Sequence, residues 1–111
     1  MIRLLVFIRP HRLEAVKSAI AAAGVSGMSV SDVRGTGNSP ESAQWFGDGN
    51  VIPLPIRSRI EVVIPDELKD EVLKAILESA QTGESSDGKI FIQKVETAVR
   101  VRTGERGEAA L

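Results

Sequence analysis

An α+β fold, with an antiparallel sheet carrying both helices on one face, is predicted by three features of the 111-residue sequence. The segments read strand, helix, strand and then strand, helix, strand again. The two halves are of similar length. A stretch of roughly 20 residues with no hydrophobic period separates them, and loops that long in compact domains tend to be functional or disordered. This order is that of the split βαβ unit, the ferredoxin-like βαββαβ arrangement.

Each element has a local reason. Ile2-Arg-Leu-Leu-Val-Phe-Ile8 is apolar, branched and aromatic, and reads as a buried first strand ended by Arg9-Pro10. From Arg12 the apolar residues fall at Leu13, Val16, Ile20 and Ala23, one face of a helix that Gly24 is placed to stop. Met28 to Val33 alternates apolar and polar, a half-buried second strand, and Gly35-Thr-Gly37 breaks it. The long loop, 36–55, holds Gly37, Gly47, Gly49, Pro40, Pro53 and Pro55. Arg59 to Ile64 is the third strand. Pro65-Asp66 opens a second helix, with Asp66 the expected N-cap and Glu67, Asp70 and Glu71 at its positive dipole end. Its apolar face is Leu68, Val72 and Ile76. Gly83 to Gly88 is a shorter loop, Lys89 to Ile92 a fourth strand, and Val95 to Val101 fits a short fifth. The first and third strands read as apolar on both sides, so the sheet face away from the helices needs cover. Self-association is the simplest cover, and a symmetric ring also protects strand edges.

Composition removes several function classes. Fourteen basic against fifteen acidic residues leave a formal charge of −1, without the positive excess of a dedicated nucleic-acid binder. The longest apolar run, Leu4 to Ile8, is too short to span a bilayer, and the N-terminus lacks a signal-peptide pattern. There is no cysteine, hence no disulfide framework and no thiolate metal site. No direct membrane insertion and a cytoplasmic location are expected. One histidine, no tyrosine and scattered carboxylates offer no convincing general-base pair, so no enzyme, no catalytic residue and no resident metal are expected. His11 reads as a surface residue at the start of a helix.

Two segments carry phosphate-like signals. Thr82-Gly-Glu-Ser-Ser-Asp-Gly-Lys89 contains the G-x-x-x-x-G-K spacing, but Ile90 follows where a Walker motif has Ser or Thr. The loop also runs from helix to strand, the reverse of a P-loop. What survives is a glycine-rich backbone able to approach an anion, with Lys89 for charge. A plain helix-to-strand turn is the competing reading. In Arg100-Val-Arg102, an extended backbone sends both guanidiniums to one face, a pair suited to bidentate phosphate contacts. The competing reading is a solvated edge strand with Glu105 or Glu96 as partners.

Together these segments resemble the PII signal-transduction family nearly end to end. The resemblance is carried by Arg9-Pro10, by Gly24 to Gly35, by Ile60 to Asp66, by Thr82-Gly83 with Asp87 to Phe91, and by Ala98 to Gly107. It implies a single domain over 1–111 that forms a homotrimer, with a T-loop at 36–55, a B-loop at 82–89 and a C-terminal loop and tail at 98–111. It further implies ATP or ADP bound competitively in inter-subunit clefts, with Mg²⁺ accompanying ATP. The T-loop then docks on, or releases, a membrane transporter or regulatory enzyme, in the family's usual case for nitrogen control. Nucleotide contacts carry over onto Ser29, Gly35, Gly37, Val63, Thr82, Gly88, Lys89, Arg100 and Arg102.

The departures are as informative. Asn38-Ser39 stands where the family usually has the Gln that helps hold Mg²⁺ and 2-oxoglutarate, and Asn38 replaces an Arg that reaches the γ-phosphate. Arg57 aligns with the family lysine that pairs with 2-oxoglutarate. Ser86 replaces a B-loop glycine. No tyrosine is available for T-loop uridylylation. Trp45 and Phe46, half of the four aromatics, lie in the long loop and read either as local packing or as partner anchors. The alternative these departures support is a divergent regulator of inorganic carbon (bicarbonate) transport that senses ADP or AMP.

Overall fold

Alternation in the first strand decides how the molecule is layered. In β1 (Ile2–Ile8) the even residues Ile2, Leu4, Val6 and Ile8 are buried and the odd ones only partly so. The even set faces two helices, α1 (Leu13–Ala22) and α2 (Lys69–Ala80), which contribute Val16, Ile20, Val72 and Ile76 to one core. β1 is central. On one side it pairs antiparallel with β3 (Ile56–Ile64), and on the other with β4 (Gly88–Lys94). β2 (Ser29–Arg34) pairs with the far side of β3, so the sheet order is β2-β3-β1-β4 with every neighbour antiparallel. That is the ferredoxin-like fold expected from the sequence, α+β with four strands and two helices. The computed structural model describes residues 1–25, 27–37 and 53–111.

The first helix stops as its sequence requires. Gly24 has φ +94°, and two bonds finish the turn, Gly24 N–H to the Ala21 carbonyl (3.0 Å) and Val25 N–H to the Ile20 carbonyl (3.3 Å). Val25 is buried beside Ile20, the apolar contact that accompanies this cap. The second helix starts differently from expectation. Asp66 makes no capping hydrogen bond; residues Asp66–Leu68 form a 3₁₀ turn ahead of α2, and Asp66 instead pairs with the Met1 amine at 3.0 Å. The Arg12 guanidinium ties the helices together, donating from Nε to the Ser79 carbonyl at 2.8 Å. Ser79 lies in the last turn of α2, where unpaired carbonyls and the negative dipole end favour a cation.

The third strand is not apolar on both sides. Arg57, Arg59 and Glu61 alternate with its buried residues and share the open face with Val63. The Arg59 and Glu61 charges are paired rather than exposed singly. Arg3 donates to Glu61 at 2.9 Å and to Gln93 at 2.8 Å, and Arg59 reaches the other Glu61 oxygen at 3.4 Å. The hydrogen bond from Arg3 holds the Glu61 carboxyl below its usual range. Beside this network Phe7 and Phe91 meet edge to face, with ring centroids 6.1 Å apart. The expected fifth strand over 95–101 is also absent among the described residues. The chain turns back at 101–103, and Val99 pairs with Arg106 as an isolated bridge.

Candidate functional site

The loop between α2 and β4 is wound around one carboxylate. Asp87 accepts from the Thr82 amide at 2.7 Å, the Gly83 amide at 3.0 Å, the Thr82 hydroxyl and Arg9 Nε at 3.3 Å. Four donors on one charged acceptor favour ionisation, and Asp87 is lowered from 3.8 to about 2, with the Thr82 hydroxyl the largest cause. Thr82 and Gly83 have thus committed their amides to the protein. Gly88 follows at once, and its place is set by close approach. A Cβ there would lie 2.0 Å from the Phe7 carbonyl oxygen, and its φ is +137°. Gly88 opposes Ile8 and Lys89 opposes Phe7 in the β1–β4 ladder, so the loop delivers Lys89 to the start of β4 beside Phe7.

An open cleft of about 580 Å³ lies against this loop, walled by Leu73, Leu77 and Ala80 of α2 and by Phe7 and Ile90 of the sheet. Its polar rim is Glu84, Asp87, Gly88 and Lys89. The Lys89 side chain makes no ion pair or hydrogen bond among the described residues. Apolar walls with a cation and glycine backbone at one end suit a ligand with a flat apolar part and an anionic tail.

Of the sequence-proposed nucleotide residues, Gly88 and Lys89 line this cleft and Thr82 shapes its loop. The others lie elsewhere in the subunit. Ser29 opposes Glu61 on the outer strand β2, and Val63 opposes Arg3 on the open face. Gly35 donates its N–H to the Pro55 carbonyl at 3.0 Å, closing the base of the long loop, and Gly37 is exposed just beyond. Arg57 opposes Val33 and donates to its own neighbour, Ile56 O, at 3.2 Å. Arg100 and Arg102 sit on the turn that follows the sheet, not on an extended strand. Arg100 pairs with Glu105 at 2.9 Å, one of the two partners the competing reading named, and reaches the Leu111 carbonyl at 3.2 Å, while the edge strand of that reading is absent among the described residues. Arg102 is exposed, with no partner among the described residues. Asn38, Ser39, Trp45 and Phe46 fall outside the described residues.

Two residues absent from the sequence-derived site belong to it. Asp87 and Arg9 organise the loop, and Arg9 also pairs with Glu84 at 3.0 Å. The signal for Asp87 was present: a Thr-Gly followed four residues later by Asp is a spacing at which a carboxylate can fold back on the two amides.

The subunit is a βαββαβ unit whose glycine-rich loop carries Lys89 beside a cleft, the fold and site of a small α+β ferredoxin-like protein. The chain matches the family described as Nitrogen regulatory protein P-II over residues 1–105. It is 41% identical over 105 residues to the Nitrogen regulatory protein P-II of Haemophilus influenzae, covering 94% of each chain. It is 45% identical over 112 positions to P-II 2 of Methanothermobacter thermautotrophicus, covering 100% of this chain and 97% of the relative. A crystal structure of Arabidopsis thaliana PII bound to citrate superposes with a TM-score of 0.80 at 37% identity, over 99% of this chain and 91% of that one. The chain belongs to the P-II family of nitrogen regulatory proteins. Among the described residues no helix is long and apolar enough to cross a membrane.

Proposed function

We propose that this protein is a non-enzymatic PII-type regulator that binds ATP and ADP in clefts between subunits of a homotrimer and signals through its long loop to a transporter or enzyme. The observation that carries the reading is the placement of the cationic and glycine segments. Lys89 lies on one edge strand of the sheet and the Ser29 to Gly37 segment on or beyond the other edge. Three strand spacings separate the edges, roughly 14 Å. One subunit does not close these residues on a single adenylate; the β4 edge of one copy set against the β2 edge of the next would. In that arrangement Lys89, Arg100 and Arg102 take the phosphates, while Phe7 and Val63 flank the base. The nucleotide acts by population shift, favouring whichever loop state it binds better. Trp45 and Phe46 are the loop side chains assigned to the partner.

Calorimetric titration with ATP, ADP and AMP, each with and without Mg²⁺, 2-oxoglutarate and bicarbonate, tests this. Micromolar ATP or ADP binding is expected, with Lys89→Ala weakening every phosphate-bearing ligand by about tenfold or more, the loss of one charge-assisted contact. Absence of any adenylate binding refutes the reading. ATP binding strengthened by 2-oxoglutarate places the protein in nitrogen control. The lack of any tyrosine and the Asn38-Ser39 pair favour a second reading, a regulator of bicarbonate uptake sensing ADP or AMP. ADP or AMP binding indifferent to 2-oxoglutarate would select it.

A further inference from the structure

Arg9 is paired with two residues of the cleft's polar rim, and its two donor sides are occupied very differently. Nε meets Asp87 at 3.3 Å, and Asp87 is locked by three further donors from Thr82 and Gly83. Nη2 meets Glu84 at 3.0 Å, and the Glu84 side chain is 68% exposed, its carboxylate with no other partner among the described residues. The first contact is part of the loop's frame. The second is an exposed ion pair, a kind that contributes little to stability. Arg9 itself is only 21% exposed, so its guanidinium is held in place while one of its partners remains loose.

The charges of this corner sum to zero: Arg9 and Lys89 are positive, Glu84 and Asp87 negative. A polyphosphate arriving at Lys89 therefore meets one cation already neutralised and one loose carboxylate. Phosphate oxygens compete well for a guanidinium, offering the same planar pairing as a carboxylate with more charge.

We propose that Arg9 is an additional phosphate-binding side chain, and that Glu84 is a built-in anion which occupies it until a phosphate displaces the carboxylate. The proposal rests on reading the Gly88–Lys89 cleft as a phosphate site. Glu84 then sets the affinity of the site and grades it by ligand charge. Removing the carboxylate frees a cation that is already positioned, so the gain grows with the negative charge of the incoming group.

The test measures binding of orthophosphate, pyrophosphate and tripolyphosphate, and of ADP and ATP, to the full-length protein and to Glu84→Gln, Arg9→Gln and the double variant. Glu84→Gln is expected to tighten tripolyphosphate by about three- to tenfold, the scale of one like charge removed near a surface site, and orthophosphate by less. Arg9→Gln is expected to weaken tripolyphosphate, and in its background Glu84→Gln should lose most of its benefit. Arg9→Lys, which keeps the charge but not the fork, serves if Arg9→Gln does not fold. It is expected to retain less than half of the Glu84→Gln gain. An unchanged affinity in Glu84→Gln, or an equal gain with and without Arg9, overturns the proposal. If the polyphosphates show the expected pattern while ATP and ADP fail to bind, this inference stands and the adenylate reading falls. If nucleotides bind but Glu84→Gln is silent, the reverse holds.

Discussion

Gly88 and Asp87 sit side by side and are required for opposite reasons. Gly88 is required by what cannot be there, because any Cβ would collide with the backbone of β1. Gly88→Ala is expected to cost roughly 2–4 kcal/mol, a large value for one methyl group, measurable as a shift in the urea midpoint. Asp87 is required by what it gathers. Its pKa lies at about 2 against an ordinary 3.8, so its stabilising effect is complete above pH 3.8 and is lost as the pH falls through about 2. Asp87→Asn should therefore lower stability at neutral pH and flatten the acid limb between about pH 4 and pH 2, followed by denaturant midpoints across that window. At this scale the sequence was readable as chemistry but not as geometry. The Gly-Lys spacing marked a loop that borders the cleft, and the Thr-Gly-to-Asp spacing inside it held the separate signal that the Thr82 and Gly83 amides serve Asp87.

Elements were legible where periodicity and caps agree. The apolar, branched run Ile2–Ile8 states a strand and the 3.6-residue spacing from Leu13 to Ala23 states a helix, with Gly24 marking the stop; which side of the strand is buried showed only in the fold. The errors fall where a local pattern has two uses. Asp66 beside Pro65 has the composition of a cap but sits one turn early, ahead of a 3₁₀ turn. Val95 to Val101 has the composition of a strand, but Gly104 lets the chain reverse, and its N–H donates to the Arg100 carbonyl at 2.8 Å. Arg59 and Glu61 were read with an apolar strand because their pairing depends on Arg3, 58 residues away from Glu61. The junction between the helices was also invisible in the sequence. Arg12→Ala is expected to cost about 1–2 kcal/mol by leaving the end of α2 without its cation, with the thermal midpoint as the readout and nucleotide affinity nearly unchanged.

On the scale of the whole molecule, several large apolar side chains are left open among the described residues. Phe91, Ile92 and Leu77 are about half exposed around β4, Val30 and Ile56 around β2, and Val101 is fully exposed. The distribution puts these groups along both sheet edges, where a neighbour would cover them. Sedimentation velocity is expected to give three times the 11.9 kDa subunit mass. Phe91→Glu, which places a charge on the open face, should shift the protein toward smaller species with little change in helix content. A wild-type protein sedimenting as a single subunit would remove the basis for the inter-subunit site.

The hydrogen bond from the Gly35 N–H to the Pro55 carbonyl has a wider consequence. It ties off the insertion where that segment leaves the sheet, so the register of β2 on β3 is decided below the knot. Lengthening such an excursion adds little entropic cost, about 0.6 kcal/mol per doubling. The length and sequence of the segment above the knot can then change, in evolution or at the bench, while the sheet beneath keeps its register.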